Sequence, residues 1–356
     1  MSHLEARLEH DINKIRAQMA EQSQEVIRAV KDAVHALQTG NKPLAYDTIL
    51  RDHPINRQMR EIDRICHRFI AVHLPSAGHL RLLSAVIRVN IELERIGDYA
   101  VTIAREGVQM SAPPSGVMAR ELERMSGATQ QMLAQACRAF RELDANLARS
   151  TILLAAQMES SLDALYAEMM SNDQHHKIKD IFATFVVFTQ LKRVSDQSKN
   201  LCEETIFAVT GKQKEPKIYG VLFVDRDNGL LSKLAEATGR NSFAESGSYR
   251  SAGDKPAAID DRIIEMLQQR GLEISSDLTS ITELTEHDIA EQTVIVSLDA
   301  PVERYFPTLP FHTSAQQWEL PETASVQSEQ ELEALYREVA VRVKDLMELL
   351  RGEGAT

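Results

Sequence analysis

Helical periodicity over the first 210 residues constrains the fold of this chain more than any other feature. Apolar residues recur there at spacings of three and four, as at Leu83, Ile87 and Ile91, which places them on one face of a helix. Glycine, proline and asparagine interrupt the pattern at 39–43, 74–78 and 112–116, with softer breaks at 143–146 and 171–173. We therefore expect six helices, at about 3–38, 42–74, 76–109, 115–143, 147–171 and 173–210, joined as antiparallel bundles.

These helices contain an internal repeat. Leu93–Asp98 resembles Leu191–Asp196 at an offset of 98 residues, and Met59–Asp63 corresponds to Glu159–Asp163 at an offset of 100. The order and the offset agree, which predicts two three-helix units in tandem, at residues 1–112 and 113–212.

The pattern changes after residues 211–216. Strand-like apolar runs at 218–224 and 293–298 alternate with helical segments at 230–238, 256–270 and 329–350. Such alternation is typical of an α/β domain with a parallel sheet, which we place at 217–356. The predicted fold is thus multidomain, with all-α tandem three-helix bundles followed by an α/β domain.

Charge divides the chain at the same place. Residues 1–214 carry 27 basic and 26 acidic side chains, whereas residues 215–356 carry 13 and 26. The acidic half lacks the basic footprint that nucleic acid requires. The first ten residues are charged, which predicts no signal peptide, and no apolar run approaches the ~20 residues of a membrane span. The three cysteines are too scattered for a disulfide framework. We therefore expect a cytoplasmic protein.

Acidic pairs at i and i+4 mark the helical half. Glu94 and Asp98 project from one helix face, as do Glu159 and Asp163. Carboxylates on facing helices can hold hard cations such as Mg²⁺, Mn²⁺ or iron. Solvated acidic faces of the same spacing are also common, so both interpretations stay open on spacing alone.

The segments 94–100, 163–166 and 196–203 resemble the PhoU family of phosphate-uptake regulators, and the resemblance extends over about 1–212. It implies metal clusters held by paired Glu/Asp-x-x-x-Asp motifs from the second and third helix of each repeat. Met59 and Lys192 stand where two of the eight acids are expected. The implied ligands, for iron, zinc, manganese or magnesium, are Asp63, Glu94, Asp98, Glu159, Asp163 and Asp196.

The same resemblance implies a role and partners. We expect a cytoplasmic, non-enzymatic regulator of phosphate uptake and phosphate signalling that forms a homodimer. Its implied partners are the phosphate ABC transporter at the inner membrane face and the associated sensor kinase.

The segment 221–232 resembles the phosphate loop of low-molecular-weight tyrosine phosphatases and arsenate reductases, within a likeness over about 217–325. Those enzymes need a cysteine thiolate and an arginine. Here the nucleophile position is Asp225 and the arginine position is Leu231, while Asn228 and Ser232 of the loop remain. No cysteine follows Cys202, which indicates a catalytically inactive interaction domain.

Two other functions remain open from the sequence. One is a phosphohydrolase, either with an aspartyl-phosphate formed at Asp225 or Asp227 beside Mg²⁺, or with metal on the helical bundles. The other is a regulator of a different transporter, such as a sodium–phosphate symporter.

Overall fold

A computed structural model of the protein describes residues 3–73, 75–154, 177–213, 217–310, 312–321, 326 and 328–352. The chain divides into two compact units, Met1–Lys214 and Glu215–Thr356. None of the described helices is both long enough and apolar enough to cross a membrane.

The helical unit is an all-α bundle. Its helices are α1 (His3–Thr39), α2 (Lys42–Leu50), α3 (Asp52–His73), α4 (Ala77–Gln109), α5 (Gly116–Glu142), α6, described over 145–154, and α7 (Ile178–Thr210). The single helix expected at 42–74 is two helices, α2 and α3. Pro54, in the first turn of α3, lacks the N–H that a continuous helix would need there, although a helix start tolerates it.

Helix α4 lies at the centre of this unit and packs against α1, α3 and α7. Its side chains Leu93, Ile96 and Ala100 have no exposed surface, because apolar residues three and four apart share one buried face. Burial of a leucine such as Leu93 contributes about 1.5–3 kcal/mol. These three residues thus belong to the apolar core of the helical unit.

The second unit is an α/β domain. It contains β1 (Tyr219–Asp225), α8 (Leu231–Ser242), β2 (Gly247–Gly253), α9 (Asp261–Gln269), α10 (Glu286–Ala290), β3 (Val294–Ser297), β4 (Ser314–Gln317) and α11 (Glu329–Arg351). The four strands found among the described residues of this unit are all parallel, in the order β2-β1-β3-β4. The predicted fold class is confirmed for both parts of the chain.

The sheet is covered on both faces. On one face Phe223 and Val296 pack in a cluster with Val339 of α11, and on the other Leu222 and Ile295 pack in a second cluster. Burial on both faces explains why β1 and β3 are continuous apolar runs in the sequence. Parallel strands bring their carboxyl ends to one edge, where the loop after β1 lies.

Candidate functional site

Two places in the described structure gather the residues that the sequence singled out. The first is the carboxylate pair of α4. Glu94 is half-buried and Asp98 is exposed, and Asp52 at the start of α3 acts electrostatically on both. Burial first, then the charges of Asp98 and Asp52, raise the pKa of Glu94. Burial and Asp52 likewise raise the pKa of Asp98, as expected where acids share a site without enough positive charge.

Asp52 is the member of this group that the sequence analysis missed. Asn56 donates a hydrogen bond from Nδ2 to Asp52 Oδ2 at 2.8 Å, while the buried Asp52 Oδ1 has no partner. A methyl group at Gly97 would lie 3.9 Å from Asp52 Oδ1 and 3.5 Å from Ile55 Cγ2, which are ordinary contact distances, so the start of α3 lies beside Gly97 of α4. The signal in the sequence was the polar pair Asp52 and Asn56, spaced like Glu94 and Asp98.

Asp63 lies elsewhere on α3. It is 11 residues from Asp52, which corresponds to about 16 Å along a helix. Near Asp63, the contact between α3 and α4 is made by Asn90, whose Nδ2 donates to Met59 O at 2.8 Å. The side chain of Asp63 pairs with His67, whose Nδ1 is 3.5 Å from Asp63 Oδ2. The structure therefore groups Glu94 and Asp98 with Asp52 and does not bring Asp63 to them.

The second repeat is organised differently at the equivalent position. Lys192 Nζ lies 3.8 Å from Asp196 Oδ2, so the lysine that replaces the expected acid forms an ion pair with the remaining one. Glu159 and Asp163 lie outside the described residues. In the described part of this site, the ammonium group of Lys192 thus supplies a positive charge beside Asp196.

The donor chemistry of Asp52, Glu94 and Asp98 suits a hard cation, because all three offer carboxylate oxygens and one oxygen is buried without a partner. Among the described residues, however, no three His, Cys, Asp or Glu side chains are placed so that they could hold one ion. Chelation by all three would therefore require side-chain rotation. The three carboxylates thus suit a hard cation in their charge and in their oxygen donors, but not in their present placement.

The second place is the loop at the carboxyl end of β1. The Asp225 side chain turns into this loop, where its Oδ1 accepts the N–H of Asn228 at 2.6 Å and its Oδ2 accepts the N–H of Ser232 at 2.8 Å. Asp225 is only 2% exposed. Burial raises the pKa of this carboxyl to about 7, although both N–H groups stabilise the charged form.

The remaining polar residues hold the loop in shape. Ser232 Oγ donates to Asn228 Oδ1 at 2.9 Å, and Asn228 adopts a left-handed conformation at φ +48°, which asparagine tolerates better than most residues. On β2, a methyl group at Gly253 would approach Asn228 N to 2.7 Å. Glycine at 253 is thus required for the loop to pack on β2.

The reactive groups of a phosphatase are missing from this loop. Leu231, at the arginine position, is 2% exposed and belongs to the apolar cluster of the unit. The three cysteines, Cys66, Cys137 and Cys202, are all buried in the helical unit. Burial raises the pKa of each thiol to about 12, so none supplies a thiolate near neutral pH.

Other carboxylates near this edge are also engaged. Asp227 Oδ1 accepts the N–H of Gly229 at 3.0 Å. Asp299, after β3, accepts the N–H of Arg226 at 3.0 Å and the hydroxyl of Tyr305 at 2.5 Å. Each of these carboxylates thus accepts a local hydrogen bond that shapes the loops.

Comparison with known proteins identifies relatives of the helical part. The PhoU domain model matches residues 19–107 and again 122–205. A phosphate-specific transport system accessory protein PhoU homologue of Pseudomonas aeruginosa is 29% identical over 218 residues, which cover 59% of this chain and 88% of that protein. The solved structure of PhoU from Pseudomonas aeruginosa superimposes with a TM-score of 0.54 at 28% identity, over 57% of this chain and 99% of its own.

A solved arsenate reductase from Archaeoglobus fulgidus is similar at a lower level. It has a TM-score of 0.31 and 25% identity, over 36% of this chain and 98% of its own.

Proposed function

Residues 19–205 of this chain form a tandem pair of PhoU domains, and on that basis we propose that the protein is an accessory regulator of a phosphate-specific transport system. The observation that supports this proposal is the double match of the PhoU domain model, together with relatives whose names state an accessory role in phosphate-specific transport. In this proposal the protein acts in the cytoplasm, as a homodimer and without catalysis. It docks on the phosphate ABC transporter at the inner membrane face and on a phosphate sensor kinase.

The experiment is deletion of the encoding gene, followed by measurement of phosphate uptake and of a phosphate-starvation reporter in phosphate-rich medium. We expect the deletion to raise both, and the full chain to restore them. Unchanged uptake and reporter activity would contradict the proposal. A change in uptake that persists without the ABC transporter would instead favour regulation of another phosphate carrier.

The α/β unit serves in this proposal as a non-catalytic interaction domain. The supporting observation is that Asp225 accepts the N–H groups of Asn228 and Ser232, so an internal carboxylate uses two donors that a phosphate loop would otherwise offer to its substrate. A buried aspartate of this kind also has no access to attack an ester.

Purified protein should therefore show no turnover of p-nitrophenyl phosphate and no arsenate reduction, with or without Mg²⁺ or Mn²⁺. Asp225→Asn is the matched control. Turnover by the wild type that Asp225→Asn abolishes would establish the aspartate-dependent phosphohydrolase instead.

We also propose that the helical unit binds a metal ion, of the iron, zinc, manganese or magnesium class, at Asp52, Glu94 and Asp98. The support is the shared carboxylate environment and the orphan Asp52 Oδ1. The ion would neutralise the group and free these acids from mutual repulsion.

Elemental analysis of untagged protein tests this assignment. The double variant Glu94→Gln/Asp98→Asn and the single variant Asp52→Asn should each lower the metal content per chain. Asp63→Asn is the matched control on the same helix as Asp52 and should leave the metal content unchanged. Loss of metal in Asp63→Asn but not in Asp52→Asn would overturn the grouping.

A further inference from the structure

A cavity between α1, α4 and α5 lies in the helical unit, away from the carboxylates of the proposed metal site. Its volume is about 300 Å³, at the lower end of the ~300–1,000 Å³ of pockets that bury small molecules. Its walls are largely apolar and include Met19, Ile27, Leu82, Val86, Phe140 and Leu143. We call it the α1–α5 cavity.

Three arginines, Arg16, Arg138 and Arg141, also line this cavity, and all three residues are exposed. Arg138 and Arg141 share one carboxylate, Glu142, at 3.1 and 3.0 Å. None of the described residues that line the cavity is an aspartate or a glutamate. The charged residues that line the cavity are therefore all basic and lie on its exposed side, while most of the other lining residues are apolar.

We propose that the α1–α5 cavity binds a small anionic amphiphile, a medium-chain carboxylate, with its chain inside and its headgroup at the arginines. Guanidinium groups bind carboxylates through two parallel hydrogen bonds. The apolar walls gain from each methylene group removed from water.

Size sets the length of the chain that the cavity, of about 300 Å³, can hold. A water molecule takes about 30 Å³ of liquid, and a methylene group is of similar size. The cavity thus has room for a chain of about ten carbons.

Occupation of this cavity would act on both repeats. Helices α1 and α4 belong to the first repeat and α5 to the second, and α1 packs against both α4 and α5. A ligand bound among the three helices stabilises the folded unit by mass action. The inference does not rest on the proposed regulatory function, because it concerns different residues.

Calorimetric titration of the full chain with decanoate, below its micellar concentration, tests the proposal. We expect saturable binding, a rise in melting temperature and at least tenfold weaker binding of decyltrimethylammonium. From hexanoate to decanoate, affinity should rise about fourfold per methylene, the equivalent of about 0.8 kcal/mol. Absence of decanoate binding at 1 mM, or equal binding of the ammonium amphiphile, overturns the proposal.

Two sets of variants locate the site. Ala134→Phe fills the cavity from an exposed position of α5, and Ala128→Phe, exposed on the same helix but not lining the cavity, is its matched control. Ala134→Phe should abolish decanoate binding and Ala128→Phe should not. Ala20→Leu, which fills the cavity from α1, gives an independent second test if the phenylalanine perturbs folding by circular dichroism.

The charge requirement is tested at the mouth. The triple variant Arg16→Gln/Arg138→Gln/Arg141→Gln should weaken decanoate binding at least tenfold and leave decanol binding unchanged. Arg120→Gln, at an exposed position of α5 outside the lining, is the control and should bind decanoate as the wild type does. Full decanoate affinity in the triple variant or in Ala134→Phe refutes the site.

Discussion

The buried carboxylate of Asp225 should make the stability of the α/β unit depend on pH in a direction opposite to that of most acids. Burial raises its pKa from 3.8 to about 7. The native state therefore keeps a proton that the unfolded chain releases, so the stability from this group is complete below pH ~4 and is lost as the pH rises to ~7. Asp225→Asn preserves the shape of the side chain and removes this titration.

The magnitude follows from the shift. About three pKa units correspond to ~4 kcal/mol between the two protonation states. Of this, about 3 kcal/mol falls between pH 5 and pH 9, because part of the loss has already occurred at pH 5. The stability of Asp225→Asn minus that of the wild type should therefore increase by about 3 kcal/mol from pH 5 to pH 9.

The chain offers a suitable probe for this measurement. Its one tryptophan, Trp318, lies in the α/β unit and is 6% exposed, so fluorescence during urea unfolding of the full chain reports on this unit alone. The neighbouring acids Asp227 and Asp299 are present in both proteins, so their own contributions to the pH dependence cancel in the difference in stability between Asp225→Asn and the wild type. Asp254→Asn, at an exposed site near the loop, is the control. A wild-type-to-variant difference that is the same at both pH values refutes the reasoning.

Two further predictions concern buried groups. The three cysteines should not react with a disulfide reagent in the native protein at pH 8, because their thiols are buried and protonated. All three should react in denaturant. Rapid labelling of the native protein would contradict this. In the α/β unit, Lys233 is 1% exposed and donates to Glu236 Oε2 at 3.2 Å. Glu236→Leu should destabilise the unit by about 3–5 kcal/mol in the Trp318 assay, since it leaves the buried charge of Lys233 without its carboxylate partner. It also removes the acceptor of the Ser251 hydroxyl and the partner of Arg240, so adding Lys233→Met should recover part of that loss. No recovery would show that the buried lysine charge is not the cause.

Several features of the fold could be predicted from residue pattern alone. Apolar spacing identified the helical unit and the buried strands β1 and β3, because these elements bury continuous faces that leave a periodic signature. The edge strand β4 (Ser314–Gln317) was missed, since its residues are polar and mostly exposed and it depends on β3 for its hydrogen bonds. The break between α2 and α3 was also missed, although Pro54 signalled it.

The inactive character of the phosphate-like loop was likewise predictable in part. The sequence shows Asp225 and Leu231 where a thiolate and a guanidinium would be needed. Only the tertiary structure places the Asp225 carboxylate inside the loop, on the N–H groups of Asn228 and Ser232. Sequence alone does not specify whether a side chain at a strand end points to solvent or folds back on the backbone donors beside it.

The carboxylates of the helical unit show most clearly what the sequence determined and what only the tertiary structure decided. The sequence determined that Glu94 and Asp98 share a helix face, since residues four apart must do so. It could not determine which acid of α3 would be their partner, because Asp52 and Asp63 are 11 residues apart and lie three turns from each other on nearly the same face. The tertiary packing of α3 on α4, in which Ile55 lies beside Gly97 and Met59 beside Asn90, brings Asp52 to the site and leaves Asp63 away from it.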